Sequence, residues 1–118
     1  MMGVPTDDAR GLEQRAEEVR RWSELFTKIQ RGEASEEEIH RYYDYLRAVS
    51  EDFIALAGAM LTKHSDRLPD QERGLLALSV ELHQARLQAI PRQVEEALAR
   101  KRLQDQRREE LRRNNKLN

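Results

Sequence analysis

An all-α fold is what this sequence predicts: an antiparallel up-down-up three-helix bundle whose third helix is long, kinked near Pro91 and prolonged as a basic C-terminal helical arm. Three observations lead there. Of 118 residues, 36% are charged and 38% hydrophobic, against about 25% and 45–50% in an ordinary globular domain, a balance that suits long helices around a narrow core seam. Only five Gly and three Pro are present, so the chain has few places to turn. Apolar residues recur at intervals of three and four along three separate stretches, the period of a helix with one buried face.

The first helix is expected to start after Thr6 as N-cap, with Asp7 and Asp8 in the first turn, where the helix dipole favours carboxylates. Its stripe is Leu12, Ala16, Val19, Trp22, Leu25, Phe26 and Ile29, and Gly32 ends it. A capping box, Ser35 with Glu38, opens the second helix, whose stripe runs from Ile39 through Tyr42, Tyr43, Leu46, Val49, Phe53, Ala57, Met60 and Leu61 to His64. Pro69 suits the first turn of the third helix, where its missing N–H costs nothing. Leu75, Leu76, Leu78, Val80, Leu82, Leu87 and Ile90 then form a broad apolar arc that predicts a well-buried helix.

Pro91 would ordinarily mark a break. Yet Leu76, Val80, His83, Leu87, Ile90, Val94 and Leu98 keep one phase across it, within ~40° of a common direction at 3.6 residues per turn. The spacing therefore predicts one helix through Pro91, kinked because the ring clashes with the Leu87 carbonyl and one hydrogen bond is lost. Past Leu98 the stripe fails, at about the point where a helix-two partner of similar length runs out. The domain organisation expected is a bundle over 1–98 and an arm over 99–118.

Charge follows the same division. Residues 1–90 hold 12 Lys/Arg and 17 Asp/Glu, residues 91–118 hold 9 and 5: an acidic body with a basic end. Cysteine is absent, which removes disulfide and thiolate chemistry. The start of the chain lacks an apolar leader and no stretch approaches the ~18 apolar residues of a membrane span. The expectation is a cytoplasmic protein with no membrane span.

Chemistry-bearing constellations are few. Glu37 and His40 form an E-x-x-H pair, the unit of carboxylate-bridged metal bundles, but the sequence offers no second pair, and His40 lies ~120° off the helix-two stripe. No metal or cofactor is predicted. His64 falls in the last turn of helix two, where an imidazolium complements the carbonyls. His83 lies on the core face opposite residues 52–55, and buried there it needs a polar partner; a satisfied core histidine is the plain reading and a polar switch the sharper one. No phosphate loop, nucleophile elbow or paired catalytic carboxylates occur, so the sequence points away from an enzyme.

Partner contacts are expected from three features. Tyr45 lies at the edge of its stripe, where a tyrosine can anchor an interface. Ala55, Gly58 and Ala59 put small residues opposite the stripe, so that either a second bundle element or another copy of the chain can approach. The arm carries Arg100, Arg107, Arg108, Arg112 and Arg113, tempered by acids at i, i+3 and i, i+4, Asp105 with Arg108 and Glu109 with Arg112 or Arg113. The function this favours is a non-catalytic helical interaction or assembly module: an adaptor, a chaperone-like factor or an oligomer subunit. The alternatives are a nucleic-acid-associated protein contacting phosphates through the arm and, third, an enzyme or metal-binding bundle.

Overall fold

The computed structural model describes the backbone of residues 6–117 and the side chains of residues 9–116. Three helices follow one another: α1 Thr6–Gln30, α2 Glu36–Lys63 and α3 Asp70–Leu117, with one 3₁₀ turn, Ser65–Arg67, between the last two. The capping role expected of the Thr6 side chain, and of Asp7 and Asp8 beside it, lies outside the described residues. At 1.5 Å per residue the 48 residues of α3 span about 72 Å, which is the longest dimension of the molecule, 72 × 45 × 20 Å.

Local chemistry sets the turns. Gly32 sits at φ +72°; its N–H reaches the Ile29 carbonyl while the Glu33 N–H reaches that of Lys28, the paired bonds of a Schellman ending. The capping box forms: the Glu38 N–H donates to Ser35 Oγ at 3.1 Å and the Ser35 N–H donates to Glu38 Oε1 at 3.0 Å. His64 caps the end of α2, its N–H on the Met60 carbonyl. Pro69 stands one residue before α3 as its N-cap, its carbonyl accepting the first helical bond from the Arg73 N–H, one position ahead of the first-turn place expected for it. Helix α3 passes through Pro91 without a loop, as the unbroken phase of its stripe requires.

Helices α2 and α3 pair antiparallel. Gly32 lies against Arg100 and Gln104, Tyr43 is close to the charges of Glu96 and Arg100, and Ser50 meets His83; residue numbers fall on one helix as they rise on the other. The core, however, gathers at one end. Ile29, Ala34, Ile39, Tyr43, Ile90 and Ala97 are buried together, with Leu25, Tyr42, Leu46, Leu87, Val94 and Leu98 packed against them. Along the rest of the hairpin the buried residues are Ser50 and Ala57.

That distribution corrects the expected burial of α3. Leu75, Leu78 and Leu82 are 58%, 51% and 63% exposed, because α1 reaches the hairpin only with its turns from Trp22 onward. The N-terminal half of α1 leads away, leaving Leu12 and Val19 more than half exposed and widening the molecule in its second dimension. The radius of gyration, 20.9 Å, compares with about 13–14 Å for a compact domain of this length. Coverage of α3 also extends to Gln104, beyond the match with α2, because the α1–α2 turn lies on it: a Cβ at Gly32 would meet the Arg100 carbonyl oxygen and Gln104 Cβ, each at 3.1 Å. From Asp105 to Lys116 the helix is exposed on all sides.

Candidate interaction surface

The crevice between α2 and α3 has one side on which α1 lies, and it is best followed from its closed end. Trp22 stacks on Tyr45, ring centroids 4.1 Å apart and planes 8° from parallel. Phe26 and Trp22 both lean on Tyr42, at 5.6 and 6.2 Å, and Tyr42 meets Tyr43 edge-on. Lys28 Nζ sits 3.0 Å from a Glu38 carboxylate oxygen. Together with the seating of Gly32 on α3, these contacts fix the direction in which α1 leaves the hairpin.

Electrostatics at this end follow from the contacts. The Ser35 N–H, and then Lys28, hold the Glu38 carboxyl below its ordinary 4.5. Burial pushes the phenols of Tyr42 and Tyr43 above 10.0, Arg86 and Arg100 respectively opposing it.

Below α1 the same side of the hairpin is open. On α2, Tyr42, Leu46, Val49, Phe53, Leu56 and Met60 recur at alternating steps of four and three, one continuous row. On α3 the corresponding row descends from Arg100, Gln93 and Arg86, which line a 300 Å³ crevice with Phe26, Tyr42 and Leu46, to Leu82, Leu78 and Leu75. The antiparallel register set by Ser50 and His83 brings Leu56 level with Leu78 and Met60 level with Leu75. Val49, Leu56 and Met60 are 38%, 68% and 38% exposed, so both walls of the lower groove are apolar and open. Row-to-row matching at this spacing is what a third helix packs into.

The residues singled out from the sequence fall elsewhere or are already engaged. The Tyr45 ring is occupied by Trp22. Ala55 is exposed and Gly58 and Ala59 are half-buried, on the face of α2 away from the groove; nothing lies within 4 Å of where a Gly58 Cβ would be. His83 is half-buried on the core side as expected, with Nδ1 3.0 Å from Ser50 Oγ and its ring stacked on Phe53 at 4.3 Å. Ser50, fully buried, is its polar partner and escaped the sequence reading. It stands seven residues from both Tyr43 and Ala57, at the centre of the core stripe, and a polar residue in that place was the available signal.

Arg100 is half-buried beside the turn, while Arg107, Arg108, Arg112 and Arg113 are exposed. Arg113 pairs with Glu109 at 3.1 Å as expected, but Asp105 pairs with Lys101 rather than Arg108. Glu37 is engaged with Arg41 at 3.0 Å. No cluster of three His, Cys, Asp or Glu suited to a metal occurs among the described residues, and no described helix is long and apolar enough to cross a membrane. A crevice of 820 Å³ between α1 and Arg41 is lined by Glu13, Glu17 and Glu18 together with Arg10 and Arg21, a mixture of both signs in which Arg20 and Arg21 already pair with Glu17. Neither a family model, nor a curated protein, nor a solved structure matches this chain, so the functional reading rests on the surface itself.

Proposed function

We propose that the chain is a non-catalytic helical assembly module that takes a partner helix into the open lower half of the α2/α3 groove. The observation that carries the reading is the pair of facing rows, Val49, Leu56 and Met60 against Leu75, Leu78 and Leu82, exposed on helices that are otherwise well formed. Contiguous apolar surface of this kind is characteristic of interaction sites, and rows with heptad spacing receive helices rather than small molecules. The partner helix completes in the lower half the three-helix packing that α1 provides in the upper half. Affinity capture from native extract tests it, using the full chain, the triple variant Leu56→Glu/Leu75→Glu/Leu82→Glu and a truncation after Leu98. The expected result is the same captured protein with the full chain and the truncation and none with the triple variant; capture unaffected by the three glutamates contradicts the reading.

One observation favours a second reading. Arg102, Arg107, Arg108 and Arg112 are exposed and engage no carboxylate among the described residues, so the arm offers a cluster of free guanidinium groups to phosphates. Nucleic-acid affinity through the arm falls steeply with salt and is lost when Arg107, Arg108 and Arg112 are replaced by Gln; indifference to both excludes it.

A further inference from the structure

Helix α1 carries two apolar rows; the hairpin uses one of them in full and only Phe26 of the other. Trp22, Leu25 and Ile29 face α2 and α3. The other row, Leu12, Val19 and Phe26, repeats every seven residues with Ala9, Ala16 and Ser23 between, the alternating spacing of a coiled-coil seam. Leu12 is 66%, Val19 61% and Phe26 40% exposed. The lower groove has the same seven-residue repeat on both walls, Val49 to Leu56 and Phe53 to Met60 on α2, Leu75 to Leu82 on α3. One chain therefore holds a helix whose heptad row is open from Val19 to Leu12 and a heptad-spaced groove with no helix in it.

Within one copy the two are held apart. To lie in its own lower groove, α1 would have to leave the Trp22–Tyr45 stack, the Lys28–Glu38 ion pair and the seat of Gly32 on Arg100 and Gln104. Resting on the assembly reading above, we infer that the occupant is a second copy of this chain: the N-terminal half of each α1 packs along Leu12 and Val19 into the lower groove of the other. The arrangement is isologous, each copy giving the same helix and receiving its equivalent, and so closes at two chains. Leu12 and Val19 of the row and Leu56, Leu75, Leu78 and Leu82 of the groove are each more than half exposed, so both partners in the exchange bring open apolar surface. Phe26, at the hairpin end of the row, already packs on Tyr42 of its own chain, so the open part of the row begins where the intrachain packing stops.

Because the chain has no cysteine, single thiols report the contact directly. Sedimentation velocity of the full chain is expected to give a dimer, and Val19→Glu in α1 or Leu78→Glu in the groove, each with unchanged helical content, is expected to weaken it at least a hundredfold. Mixing a Val19→Cys sample with a Leu78→Cys sample under oxidation is expected to give predominantly the mixed disulfide. Predominance of the Leu78–Leu78 position disulfide means that grooves meet face to face, which overturns the exchange of α1 but leaves the assembly reading intact. A double Val19→Cys/Leu78→Cys chain that closes on itself at high dilution overturns it in favour of internal closure. A monomer at every concentration overturns the second copy as occupant, and the groove variant in the capture experiment then decides whether the assembly reading falls with it.

Discussion

Covered and uncovered halves of the same hairpin differ in a way opposite to simple economy. In the upper half, where α1 lies on the groove, the α3 row is polar: Arg86, Gln93 and Arg100. In the lower half, where nothing of the same chain lies, that row is Leu82, Leu78 and Leu75, and α2 answers with Leu56 and Met60. A monomer shaped by its own needs would place leucines under α1 and arginines in the open. Apolar rows in the uncovered half are the observation on which the assembly proposal rests.

The sharpest contrast comes from truncating one residue in each half. Ile90, fully buried in the upper core, replaced by Ala is expected to cost about 2–5 kcal/mol in denaturant unfolding of dilute protein. Leu82→Ala, at 63% exposed, is expected to change the same measurement by less than ~0.5 kcal/mol. Equal losses would mean the lower half is packed as well as the upper. Pro91 lies next to Ile90 in a helix that tolerates it because the upper core holds α3 in place. Pro91→Ala is therefore expected to raise stability by as much as ~3 kcal/mol through the restored hydrogen bond and relieved clash; no gain would show that α3 accommodates the ring at no net cost.

Smaller effects test how α1 is held. Gly32→Ala meets both a left-handed backbone and the Arg100 carbonyl, and is expected to cost at least ~1 kcal/mol; Trp22 fluorescence should report the loosening of α1 in the same titration. The smallest is a pH effect. Glu38 has a lowered carboxyl pKa in the folded chain, so its contribution is present above 4.5 and is lost as pH falls through the lowered folded value. Acid titration of stability should be flatter in Glu38→Gln. Tyr42 and Tyr43, raised above 10.0, work at the other limit: their burial favours the fold below pH 10 and this is lost as pH rises through the raised folded values.

Local devices were legible in the sequence because they are made of neighbours. The Ser35–Glu38 box, the Gly32 ending and the run of α3 through Pro91 each depend on residues within a few turns, and periodicity alone carries them. His83 on the core face was legible for the same reason. The direction of α1 was not, since it depends on Trp22 meeting Tyr45 and on a turn resting against Arg100 and Gln104, contacts between residues 23 to 72 positions apart. Nor could periodicity distinguish the leucines of α3 as open: a heptad row shows that a face requires cover, not which chain supplies it. The interface residues sought in Tyr45 and in Ala55, Gly58 and Ala59 were chosen by type, whereas the groove is defined by the register between two helices.

Native-state hydrogen exchange at two protein concentrations tests the division most directly. In dilute protein the account predicts slow exchange for amides of residues 39–50 and 87–98 and faster exchange for residues 53–63 and 72–82, with the latter becoming protected, together with residues 9–20 of α1, as concentration rises. Equal protection of both halves of the hairpin, unchanged by concentration, would contradict it.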